Sequence, residues 1–147
     1  MATTATVFNH IAGILGNALS DLDAATWKLA LVASAYTQDL TDTAWADISA
    51  SEVATGAGYT TGGETLTTVS SSTTAGVWSL AADDVPWTAL TKDFRWGVLY
   101  ISGTVNSITN PVVALILFDD SPADVSLTSV NYTVVWTGGN VLQIQAA

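Results

Sequence analysis

Apolar residues recur every four positions at Val7, Ile11, Leu15 and Leu19, with Phe8, Ile14 and Ala18 widening the stripe. That period predicts one amphipathic N-terminal α-helix over residues 7–19. Gly13 and Gly16 each weaken such a helix by roughly 1 kcal/mol relative to Ala. Its stability is therefore expected to come from docking, onto its own sheet or onto a neighbouring subunit. After the punctuation of residues 20–23 the period falls to two. Trp27, Leu29 and Leu31 occupy one face of a first strand over 27–36, with Lys28, Val32 and Tyr36 nearer the other. Residues 38–51 mix Asp, Thr and Ser around Trp45 and Ile48, the pattern of a long surface loop with a short helical turn pinned by Trp45.

Gly56, Gly58, Gly62 and Gly63 bracket Tyr59, marking turns or bulges where positive φ or close backbone approach is required. Residues 64–69 and 77–80 then read as a hairpin whose polar loop is 70–76. Pro86 confines 83–87 to a sheet edge or a strand start. Phe94, Trp96, Val98 and Tyr100 describe a strand over 94–102 that crosses the core, and the apolar run 112–118 a fully buried one. A turn over 103–111 and a corner over 119–124 flank that run. Residues 131–136, Gly138-Gly139 and 141–145 suggest a closing hairpin. Short strands with turn signals every eight to twelve residues predict a mainly β, antiparallel β-sandwich or jelly-roll-like fold. At 147 residues the expectation is a single domain over 1–147, the helix followed by a sandwich over 27–147.

Composition changes what the outside of this sandwich must be. Charged residues are only 11%, well below the roughly 25% of ordinary soluble domains. Mean hydropathy is +0.40, and 22 Thr and 13 Ser supply the neutral, strand-compatible surface. Such a surface loses few hydrated ions when a partner covers it, which points to assembly. Thirteen acidic residues against Lys28, Lys92 and Arg95 give a net charge of −10. That balance argues against nucleic acid, which needs clustered cations, and against anionic membrane surfaces. The longest apolar run is far shorter than the ~20 residues of a membrane helix. The first nineteen residues lack the basic start of a secretory signal. With no cysteine, disulfides and thiolate metal sites are excluded.

Candidate chemistry is sparse. His10 is the one histidine, with no Ser or Asp in an elbow motif nearby and no second histidine at zinc-ligand spacing. It reads as structural. Asp83-Asp84 and Asp119-Asp120 with Asp124 offer calcium-type oxygen ligands at corners, but neither follows EF-hand spacing and turn-forming aspartates are common. Six tryptophans could stack on sugars. Trp27, Trp78, Trp96 and Trp136 lie within strand patterns and read as core or interface, whereas Trp45 and Trp87 sit nearer loops. The glycine-rich 56–63 segment lacks the lysine and following helix of a phosphate loop. No catalytic, cofactor-binding or metal residue is assigned, and no enzyme is expected.

Several pieces recur together in order: Phe8-Asn9-His10; Trp27-Lys28-Leu29-Ala30-Leu31-Val32 running into Ser34-Ala35-Tyr36-Thr37; Asp47-Ile48; Glu52-Val53; Gly58-Tyr59-Thr60-Thr61-Gly62-Gly63 with Leu66; Ala82-Asp83-Asp84-Val85 with Trp87; and Phe94-Arg95-Trp96-Gly97-Val98-Leu99-Tyr100. Jointly they resemble a family of small tailed-bacteriophage virion proteins over most of the chain, the last third being generic β sequence. The resemblance implies a structural component without catalytic residues, in a capsid or in a tail and fibre assembly. With the neutral surface, it leads to the expectation of a capsid decoration or cement protein located in the virion and assembled in the host cytoplasm. Its expected partners are itself, as a homo-oligomer with a trimer foremost, and the major capsid protein or other virion proteins. The alternative is a receptor- or carbohydrate-binding module at a tail fibre, stacking ligands on Trp45, Trp87 or Tyr59.

Overall fold

The computed structural model describes residues 4–16, 21–118 and 124–145. In chain order its elements are β1 (Thr4–Val7), α1 (Ile11–Gly16), β2 (Thr26–Val32), α2 (Trp45–Ile48), β3 (Glu64–Thr65), β4 (Ser70–Thr74), β5 (Val77–Ala81), β6 (Val85–Leu90), β7 (Asp93–Phe94), β8 (Trp96–Ser102), β9 (Thr104–Val105), β10 (Ile108–Thr109), β11 (Val112–Leu117), β12 (Val125–Ser126), β13 (Val130–Val134) and β14 (Asn140–Gln145). The fold is mainly β, antiparallel and sandwich-like. Its main sheet has the order β1-β11-β8-β2-β3, and beside it lie a three-stranded sheet, β14-β5-β4, and the ribbons β13-β6, β12-β7 and β10-β9.

Strand β2 pairs along its whole length with β8, from Thr26 opposite Ser102 to Val32 opposite Trp96. Trp27, Leu29, Ala30, Leu31 and Val32 are all fully buried, so the alternation expected for this strand is replaced by burial on both faces. One face is covered by the chain between β2 and β3: Trp45 of α2 stacks on Tyr100 of β8, with ring centroids 5.0 Å apart and planes 5° from parallel. The other packs against the second layer, where Phe94, Phe118 and Tyr132 meet edge to face at 5.4–6.1 Å. Gly97 makes that contact close, since a Cβ there would stand 2.8 Å from the Phe118 ring.

Three expectations are corrected. Residues 4–7 are the edge strand β1, paired with β11 from Thr4 opposite Leu117 to Val7 opposite Ala114, and the helix covers only 11–16. Residues 17–19 of the expected helix lie outside those described. The apolar stripe was real at Ile11 and Ile14, both buried, but Val7 is 45% exposed. Backbone hydrogen bonds to β11, continued by Phe8 N–H to the Val113 carbonyl at 3.1 Å, outweigh a helix weakened by Gly13 and Gly16. Second, the supposed polar loop contains β4, which pairs with β5 from Ser70 opposite Ala81 to Thr74 opposite Val77. Only Ala75 (φ 51°) and Gly76 (φ 80°) form its turn, both left-handed as a two-residue hairpin of this twist requires. Of the predicted arm 64–69, only Glu64–Thr65 forms a strand, and it pairs with β2. Third, β13 and β14 form no hairpin: β13 pairs with β6 and β14 with β5. The chain turns between the two sheets at Gly138 (φ 66°) and Gly139 (φ 75°).

Candidate functional site

The residues carrying the sequence pattern converge on one network beside β2. The Tyr59 hydroxyl accepts the Leu31 backbone N–H at 3.0 Å and donates to Glu52 Oε1 at 2.7 Å. The same Glu52 oxygen accepts the Gly62 N–H at 2.6 Å. The Gly62 carbonyl in turn accepts the Tyr100 hydroxyl at 2.6 Å and Lys28 Nζ at 3.3 Å, and Lys28 also reaches the Gly63 carbonyl at 3.3 Å. Gly62 (φ 91°) and Gly63 (φ 69°) hold left-handed backbone that presents these groups. Burial, and secondarily the hydrogen bond to Glu52, pushes the Tyr59 phenol well above its ordinary range. Burial, with the nearby Glu52 charge, pushes Tyr100 up to about 12. Both phenols are therefore neutral hydrogen-bond groups at physiological pH. The network fixes the 52–63 loop onto β2 and β8, and its polar atoms are engaged with one another.

The remaining candidates are dispersed. His10 lies at the start of α1 against Phe8, with ring centroids 6.5 Å apart, and neither ring nitrogen has a hydrogen-bond partner in good geometry. Burial holds its imidazole below the usual histidine range, only partly offset by the Asp42 backbone. Asp83 accepts the hydroxyls of Thr67 and Thr68 at 3.2 and 2.6 Å. Asp84 accepts the Trp136 backbone N–H at 2.9 Å, while Trp136 Nε1 donates to the Asp83 carbonyl at 3.0 Å. This acidic corner ties β6 to the end of β13. Asp124 pairs with Arg95 at 2.9 Å and accepts the Ser34 hydroxyl at 2.7 Å. Asp119 and Asp120 lie outside the described residues. Among those described, no three His, Asp or Glu side chains are grouped to hold a metal ion.

The aromatic residues that the alternative reading offered as ligand platforms are buried. Trp45 and Trp87 are 9% and 2% exposed and Tyr59 is 3% exposed, so none presents a ring face to solvent for stacking. Trp87 packs on Tyr132 at 6.2 Å and Trp45 on Tyr100. Trp27 and Trp136 are core, and Trp78 and Trp96 are half-buried against it. Trp45 begins α2 and Trp87 lies within β6, and each large ring is buried against the aromatic residue beside it.

One groove sequence reasoning missed lies between the main sheet and β13. It holds about 430 Å³, floored by Ala5, Leu99, Ala114 and Ile116 and walled by Tyr132, Val134 and Trp136. Small residues on β1 and β11 open it, and Val135, 66% exposed, stands on its rim. Its one titratable group is Tyr132, whose phenol burial pushes above its ordinary range, so the groove offers contact area and no acid–base pair. No helix among the described residues is long and apolar enough to cross a membrane. No protein-family model, no curated protein and no solved structure matches the chain.

Proposed function

We propose that this chain is a non-enzymatic structural subunit of a tailed-bacteriophage virion, a capsid decoration or cement protein that stabilises the head through contacts with its own copies and with the major capsid protein. The observation that carries the reading is the fate of the residues on which the family resemblance rests. Glu52, Tyr59, Gly62, Gly63, Lys28 and Tyr100 are tied to one another and to the backbone of β2, as befits a framework motif. The neutral Thr- and Ser-rich surface supports it further, because covering such a surface strips few ions of water. The receptor-binding alternative relied on Trp45, Trp87 or Tyr59 as exposed platforms, and all three are buried.

Two measurements on virions test the proposal. Quantitative mass spectrometry of purified particles is expected to find the chain in hundreds of copies, as a capsid component requires; tens or fewer would place it in the tail. Particles lacking the chain are expected to adsorb normally and to lose head stability to heat, because subunit contacts stabilise the assembled state by mass action. Intact heads that fail to adsorb would overturn the cement reading.

A further inference from the structure

Among the described residues strand β14 has a free edge, protected by neither charge nor proline, and its one irregularity lies near its start. It has six residues, Asn140-Val141-Leu142-Gln143-Ile144-Gln145, without Lys, Glu, Asp or Pro. The free edge of β6 is equally long but contains Pro86, β13 also lacks charge and proline but is shorter, with Tyr132 packed among Trp87, Phe94 and Phe118, β4 is all Ser and Thr, and β1 has four residues. Across the whole β14-β5-β4 sheet no residue is charged, in a chain of net charge −10. The irregularity in the β14–β5 ladder falls at Val141, before the regular pairs Leu142–Leu80, Gln143–Ser79 and Ile144–Trp78. Leu142 and Ile144 thus share the face of buried Leu80, and Ile144 is 39% exposed where that face opens.

We propose that β14 pairs with β14 of a second copy, antiparallel about a two-fold axis at Gln143, joining two three-stranded sheets into one. Residues directly opposed in an antiparallel pair share a face, so an axis on a residue keeps the apolar face continuous and an axis between residues mixes the faces. With the axis at Gln143, Leu142 of each copy faces Ile144 of the other, which covers the exposed Ile144. Gln143 faces itself. Its Nε2 donates to Ser79 Oγ at 3.0 Å, leaving the second amide N–H and the carbonyl oxygen for the same side chain of the copy.

A second copy is the occupant because of where the charge lies. Two chains of net charge −10 repel across any surface that opposes their acids, and the three strands of this sheet carry none. Asp21 and Asp23 line the depression beside Trp78 and Ile144, and Asp23 is tied to the β4 side by Ser71 at 2.8 Å. The inference deepens the proposed function and rests on it for self-assembly. It makes the two-fold dimer, rather than the trimer expected above, the elementary unit.

The test is sedimentation of the full chain at micromolar concentration, with thermal melts by circular dichroism to verify folding. The native chain is expected to dimerise, more tightly as salt screens the residual repulsion. Gln143→Glu and Gln143→Lys are each expected to weaken dimerisation at least roughly tenfold by placing like charges on the axis, and an equimolar mixture to restore it. A native chain that stays monomeric at every salt concentration overturns the assembly reading together with this interface. An oligomer unaffected by either substitution overturns the interface alone. Folded single variants that both dissociate and are not rescued by mixing overturn the axis at Gln143.

Discussion

Gly62 and Gly63 are adjacent, both left-handed, and differ in what surrounds them, which allows backbone strain and steric conflict to be separated. A Cβ on Gly62 (φ 91°) would have Lys28 Nζ at 3.6 Å and Tyr100 Oη at 3.7 Å, ordinary contacts with side chains that can adjust. A Cβ on Gly63 (φ 69°) would stand 2.1 Å from the Leu29 carbonyl oxygen and 2.6 Å from Ala30 Cα. Those atoms belong to β2, the buried strand held by β8 along its full length, and they cannot retreat without breaking that ladder. Gly62→Ala therefore costs only the left-handed backbone, about 1–2 kcal/mol. Gly63→Ala adds displacement of a core strand and is expected to exceed about 4 kcal/mol, the range reserved for major structural conflicts. Against a total stability of about 5–15 kcal/mol this is a large fraction. Urea denaturation followed by tryptophan fluorescence reads both, with the midpoint of Gly63→Ala falling far below that of Gly62→Ala. Equal midpoints would refute the reasoning, because they would mean that β2 yields freely or that the 63 turn does not approach it.

Three further outcomes follow from the same network and its surroundings. Tyr59→Phe deprives the buried Leu31 N–H of its acceptor and Glu52 of a donor, and should cost about 1–3 kcal/mol in urea unfolding; an unchanged midpoint would show that water replaces the hydroxyl. The phenols of Tyr36 and Tyr100 are each pushed up to about 12, chiefly by burial, so above pH 10 the unfolded chain has lost protons that the folded chain keeps. Stability is then complete below about pH 10 and falls as pH rises towards 12, by up to about 1.4 kcal/mol per pH unit for each such tyrosine. Phenolate absorbance should appear together with unfolding, and early titration of these two groups in a folded chain would contradict their burial. The Arg95–Asp124 pair is partly exposed, so Asp124→Asn should change stability by no more than about 1 kcal/mol in a thermal melt; a larger loss would show that the corner beside Ser34 depends on it.

What the sequence determined by itself was local. The apolar run of β11 identifies a buried strand because burial on both faces leaves no polar position to mistake, whereas β2 and β8 were legible as strands from their alternation and not as buried on both faces. The glycines at 58, 62 and 63 announce left-handed turns because other residues enter that region only under strain. The sequence pattern around Glu52 and Tyr59 was visible, but not its purpose, since Tyr59 meets Leu31 from 28 residues away and Tyr100 meets Gly62 from 38. Tertiary structure alone decided the pairings. Ser70–Thr74 has no apolar signature and is a strand because β5 supplies partners for its backbone. Val7 fits a helical stripe yet ends the strand that completes the edge of β11, where paired residues gain hydrogen bonds that a short glycine-weakened helix holds poorly. Strands β13 and β14 are neighbours in sequence and part to different sheets, because periodicity records which face of a strand is apolar and carries no record of which strand lies beside it.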